Sequence, residues 1–146
     1  KQLDYEHDNN KLTNFCERLL NKSLTQKNQG HFWYVISWNL EKIVDNTKYI
    51  AQHYAANIPS LTKEATDILS DIHSFITAYY DCFYDFSFEK MVALSTQKQE
   101  LEQRCLQGIA AKNKEERVLF HYLHIIVLQC ADFSASMIAL RGDFLS

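Results

Sequence analysis

The chain has 146 residues, 47% hydrophobic and 23% charged, with 15 Lys and Arg against 18 Asp and Glu for a formal net charge of −3. That length holds one domain with a real core, and the charge gives no clustered cationic footprint, so direct nucleic-acid binding by this segment is not expected. Only three Gly and one Pro occur, and strand formers never alternate between turn signals, which excludes hairpins and sandwiches and predicts an all-α fold.

The first predicted helix covers residues 4–22, where Leu12, Phe15, Cys16, Leu19 and Leu20 recur at the spacing of one buried face. The polar stretch SLTQKNQG follows as a loop. A second helix is predicted over 31–56, with Trp33, Ile36, Leu40, Ile43, Thr47, Ile50 and Tyr54 along one stripe. NIPSLTKE ends it, because Pro59 lacks a backbone donor and Ser60 is a good N-cap with Lys63 and Glu64 in the following turn.

From Leu61 to Gly108 the helical signal is uninterrupted. Unbroken, it would make a helix of about 70 Å, too long for so small a domain, so a break is expected around DFSFEK, residues 85–90. Residues 74–88 are aromatic on nearly every face and predict a central element packed on several sides. The last helix, 115–141, is strongly apolar and is expected to stop at Gly142.

Cys16, Cys82, Cys105 and Cys130 are scattered without any short metal-binding spacing, which predicts core thiols in a reducing, cytoplasmic setting. The N-terminus has no signal-peptide character, and no apolar run is read as reaching the ~20 residues of a membrane span. No membrane insertion is expected. The chain begins without Met and is read as a fragment of a longer one.

An internal repeat organises these elements. Leu12, Cys16 and Leu20 fall on Leu101, Cys105 and Ile109, while LEKIVDNTKYIA falls on VLQCADFSASMI with Asp45 over Asp132 at a slightly shorter offset. Residues 61–90 then lack a counterpart in the first copy. The division expected is 1–58 as the end of a first bundle and 59–146 as a whole second bundle.

Three acidic pairs stand at i, i+4: Glu41 with Asp45, Asp67 with Asp71, and Asp81 with Asp85. Like charges at that spacing destabilise a helix by a few tenths of a kcal/mol unless a cation lies between them. A solvated acidic edge is the bland explanation. For Asp81 and Asp85 it is weakened by their aromatic helix, where a buried carboxylate is costly unless ligated. Such oxygen ligands suit magnesium, calcium, manganese or iron. His121 and His124 are three apart, but no Glu-x-x-His pair accompanies them. No nucleophile motif or phosphate-cradling glycine loop is present, so no enzymatic activity is predicted.

With the acidic pair in place, WNLEKIVDNTKYIAQ resembles the signature helix of the PhoU family of phosphate-uptake regulators, Leu-Glu-Arg-Ile-Gly-Asp-His-Ala-x-Asn-Ile-Ala-Glu. Leu40, Glu41, Ile43, Asp45, Ile50 and Ala51 match it, and Lys42 stands for Arg. Val44, Asn46, Thr47, Tyr49 and Gln52 depart from it. In the second copy Asp132 matches the family Asp, while Leu128 replaces its Glu. ITAYYDCFYDFSFEKMV resembles the family's long helix, with Asp85 as its carboxylate.

The resemblance implies an antiparallel helical bundle of repeated three-helix units and a cytoplasmic regulator that couples a phosphate transporter to its signalling kinase. It also implies carboxylate-bound metal at Glu41 and Asp45, and at Asp85 and Asp132; Asp81 joins this set from spacing alone. A homodimer is expected, and some resembling proteins carry an upstream DNA-binding domain. The competing expectation is a helical dimerisation or effector domain of a transcriptional regulator, without metal. A third is a carboxylate-metal hydrolase.

Overall fold

The computed structural model describes residues 2–23, 29–55, 60–110 and 114–141. The described residues form an all-α bundle of six helices: α1 Gln2–Ser23, α2 Gly30–Tyr54, α3 Lys63–Tyr84, α4 Phe88–Ala110, α5 Lys114–Ala131 and α6 Phe133–Leu140. Pro59 and Gly142, and with them the expected stop signals and the boundary between 58 and 59, lie outside the described residues.

The long run from Leu61 breaks where overlength demanded, at Asp85–Ser87. There the Ser87 hydroxyl accepts from the Lys90 N–H at 3.1 Å, starting α4. The cap of α3 is Thr62 and not Ser60. Its backbone is extended (φ −64°, ψ 162°) and its hydroxyl accepts from the Ala65 N–H at 3.3 Å, the N-cap geometry that Ser60 stands too far upstream to supply. The buried Glu116 carboxylate accepts from the Thr62 N–H at 2.5 Å and so joins the start of α3 to the first turn of α5.

The predicted last helix is almost continuous. Asp132 keeps a right-handed helical conformation (φ −64°, ψ −18°) and its N–H still bonds the Leu128 carbonyl at 3.1 Å, but it divides α5 from α6. The stretch Lys114–Leu140 is long and apolar enough, by length and composition, to cross a membrane, which corrects the reading that no run approached that length. Within the fold α5 packs against α2, α3 and α4.

The core is centred on α3, α4 and α5. Phe75, Ile68, Leu119, Val127, Cys82, Cys105 and Cys130 are fully buried, each removing apolar surface from water at about 25 cal/mol per Å². Phe75 meets the Tyr79 ring edge-on at 5.0 Å, and Tyr79 in turn meets Phe133 at 6.1 Å, carrying the core from α3 to α6. Arg104 of α4 binds Asp71 at 2.6 Å and Glu64 at 3.1 Å on α3. Asp71 of the second acidic pair is therefore matched by a guanidinium.

α1 is different. Its substantial packing is with α2, and Leu12, Phe15, Cys16 and Leu19, expected to be buried, are exposed. Helical periodicity places these residues on one face but does not supply anything to cover that face.

Candidate functional site

The acidic pair Glu41 and Asp45 does have a cation between its members, and the cation is the chain's own. The Lys42 ammonium lies 3.8 Å from Glu41 and 3.3 Å from Asp45, and sits over the Trp38 ring at 4.7 Å. On the other side Lys48 donates to Asp45 at 3.2 Å and to Glu6 of α1 at 2.7 Å. The like-charge penalty of the i, i+4 pair is thus offset internally, and the same network ties α1 to α2. The hydrogen bond to Glu6 is the main cause that raises the Lys48 pKa above the ordinary lysine range. A raised lysine pKa contributes stability at neutral pH that is lost only as the pH climbs through that value, so the tie persists under ordinary conditions.

The other candidate ligands lie apart. Asp81 is exposed, and Asp85, also exposed, caps the end of α3 and pairs with Lys90, whose ammonium holds the Asp85 carboxyl below its usual range. The expectation that these two interrupt a buried aromatic face is corrected: Phe75, Tyr79 and Cys82 point inward, leaving Asp81 and Asp85 on the solvent side with Tyr80 and Tyr84. Asp132 is exposed at the junction of α5 and α6. Among the described residues no group of three His, Cys, Asp or Glu side chains comes together to hold a metal.

Asn46, a departure from the PhoU pattern, is a buried side chain that the sequence reading did not single out. It donates to the Gln129 side-chain oxygen at 3.0 Å and to the Lys42 carbonyl at 2.8 Å, fixing α2 on α5.

The concave feature lies on the other face of α2. A cavity of 510 Å³ opens between α1, α2, α3 and α6, walled by Cys16, Leu19 and Leu20, by Trp33, Ile36 and Leu40, by Tyr79, Tyr80 and Phe83, and by Phe133 and Met137. Trp33 meets the Phe83 ring edge-on at 5.5 Å across it. Its most buried polar group is already engaged, since the Tyr79 hydroxyl lies 2.9 Å from the Ser134 hydroxyl. An apolar, aromatic-walled groove that lacks convergent charged groups suits hydrophobic side chains better than a polar substrate.

In the register of the expected internal repeat, the two hairpins differ in what covers them. In the register that sets Leu12 on Leu101, Tyr5 falls on Leu94; in the register that sets Asp45 on Asp132, Trp33 falls on Phe120 and Leu40 on Val127. Leu94, Leu101, Phe120 and Val127 are 3%, 2%, 2% and 0% exposed, whereas Tyr5, Leu12, Trp33 and Leu40 are 72%, 64%, 42% and 47% exposed. The α4–α5 hairpin has α3 packed on both of its members. The α1–α2 hairpin presents the corresponding positions to solvent. In addition, Gly108 lies directly beneath the Phe120 ring, while its counterpart Leu19 and Trp33, the counterpart of Phe120, both line the cavity.

Cys16 stands at the rim of this groove and is exposed, whereas Cys82, Cys105 and Cys130 are buried. Burial pushes the Cys105 and Cys130 thiols up to about 12, which leaves essentially no nucleophilic thiolate at neutral pH. We expect a thiol-specific chromogenic disulfide at pH 8 to modify Cys16 alone in the folded chain. The remaining three should react only after denaturation, and Cys16→Ser should remove the native-state reaction.

Comparison of the chain with models of protein families, with curated proteins and with solved structures found no match.

Proposed function

We propose that this chain works by protein–protein interaction, as a helical module whose α1–α2 face receives an amphipathic helix. The carrying observation is the exposure of Tyr5, Leu12, Trp33 and Leu40 where the repeat-related Leu94, Leu101, Phe120 and Val127 are buried. Exposed apolar surface contiguous with an apolar cavity marks an interaction site, and the repeat says what shape of partner fits. It is a helix with apolar residues spaced like those of α3, where Ile68, Ile72, Phe75, Tyr79 and Cys82 are buried.

Within this class, the matches at Leu40, Glu41, Ile43, Asp45, Ile50 and Ala51 support a PhoU-like cytoplasmic regulator of phosphate uptake, with transporter components or a signalling kinase as partners. The free buried thiols agree with a reducing compartment. Metal held by Glu41 and Asp45 belongs to that finer reading. The metal-free alternative, a dimerisation or effector domain of a transcriptional regulator, is favoured by one specific observation: the Lys42 ammonium already lies between the two carboxylates.

The docking reading is tested with a synthetic peptide of residues 63–84, this chain's own α3, titrated calorimetrically into the intact chain. We expect saturable binding with a negative heat-capacity change, the marker of apolar burial. Trp33→Glu or Leu40→Glu should weaken it by about 30-fold or more, the size of an interface hot spot, while Val92→Glu, on an exposed position of α4, should leave it unchanged. Absence of binding, or equal binding by all variants, contradicts the reading.

A further inference from the structure

We infer that α1 opens from the bundle as a unit, released when the ion pairs of Glu6, Lys48 and Asp45 are lost, while α2 to α6 stay folded. The determinants lie on the face that α1 turns to α2, not on its opposite, apolar face. Glu6, Asn9, Asn10, Thr13, Glu17 and Leu20 recur at helical spacing and are the least exposed side chains of residues 4–22. All but Leu20 are polar, and Thr13 alone is buried. α3, by contrast, buries Ala65, Ile68, Ile72, Phe75, Tyr79 and Cys82, and apolar burial is the dominant attraction in folding. The hold on α1 therefore depends on what its polar groups reach.

What they reach is one lysine. The Lys48 ammonium joins Glu6 at 2.7 Å to Asp45 at 3.2 Å, and the three side chains are 14%, 21% and 17% exposed, so the charges are weakly screened and costly to leave unpaired. α2 does not leave with α1. It buries Ile36 and Ile43, and its Asn46 amide donates to Gln129 of α5 at 3.0 Å. The consequence reaches the groove, because Cys16, Leu19 and Leu20 form its α1 wall and opening takes that wall away. Glu6 stands about 20 Å along the helix from Leu19, so the ion pairs control the width of the groove from a distance. Elements that move in regulation are drawn from such weakly held parts of a fold.

Hydrogen exchange of the intact chain, read by mass spectrometry where opening and closing are fast, tests this. We expect the amides of residues 6–20 to exchange at least about 100-fold faster than those of α3 and α5, as a local opening requires. Lys48→Met leaves Glu6 and Asp45 unpaired and should speed exchange in α1 by about a further 10-fold, with α3 and α5 unchanged. Glu6→Gln breaks the same pair from the other side and should act alike; lying outside the core, it keeps the test intact if Lys48→Met fails to fold. In the double variant the two effects should fall short of additive, because they remove one interaction. Val92→Ala, at an exposed position of α4, should change nothing. Exchange in α1 no faster than in α3, or a Lys48→Met effect spread over all the helices, overturns independent opening. An α1 untouched by both single variants, or fully additive effects, overturns the ion pairs as what holds it.

Discussion

Replacing Phe75 by Ala should lower the free energy of unfolding by about 3–5 kcal/mol. Phe75 is fully buried on α3 and its ring touches Tyr79, which continues the aromatic contact to Phe133 of α6. Truncation removes the apolar transfer energy of the ring and leaves a cavity that α4 and α5, close-packed on the same face, fill only in part. Domains of this size are stable by roughly 5–15 kcal/mol, so the variant should sit near the limit of folding. Urea denaturation measures the effect, with Val92→Ala at an exposed site expected to change stability by less than about 0.5 kcal/mol. A loss below about 1 kcal/mol for Phe75→Ala would contradict the placement of the core.

Gly108→Ala should destabilise the chain, against the usual sign. In the interior of a helix the exchange gains about 1 kcal/mol in helix propensity. Here a Cβ on Gly108 would fall 2.3–2.5 Å from the ring carbons of Phe120, which is 2% exposed, so the ring would have to shift within the core. Overpacking of this kind costs about 1–3 kcal/mol, and it outweighs the gain. Thermal unfolding should register a net loss of up to about 2 kcal/mol, and Phe120→Leu in the same chain should recover part of it, since neighbouring residues couple. A stabilised Gly108→Ala would mean that α4 and α5 do not approach as closely as described.

Much of the architecture is legible in the residues. Scarcity of Gly and Pro, the 3.6-residue periodicity and the overlong run from Leu61 are sufficient to predict an all-α bundle with a break near Asp85. The exposure of Leu12, Phe15 and Leu19 is not legible from their own helix, because periodicity reports which face is apolar and is silent on what lies against it. Comparing the two hairpins position by position in the register of the expected repeat is what exposes the groove, since Leu12 and Trp33 are exposed where Leu101 and Phe120 are buried. The acidic residues illustrate a second limit. Asp81 lies in, and Asp85 caps, a helix with five aromatic residues, yet the inward set Phe75, Tyr79 and Cys82 already assigns them to the other side. Lys42 and Lys48 stand in the same quoted stretch as Glu41 and Asp45, and their spacing of three from Asp45 predicts the ion pairs that form. Asn46 gave no signal at all, because a buried amide bridging two helices depends on Gln129, 83 positions away.

The claim on which the functional account turns is that the exposed apolar face of the α1–α2 hairpin accepts a helix. The direct measurement is a nuclear magnetic resonance titration of the isotope-labelled chain with the unlabelled residue 63–84 peptide. The account predicts saturable shifts at Tyr5, Leu12, Phe15, Trp33, Ile36 and Leu40, with Leu94, Leu101, Phe120 and Val127 unmoved. Shifts confined to α4 and α5, or none along α1 and α2 at saturating peptide, would contradict it.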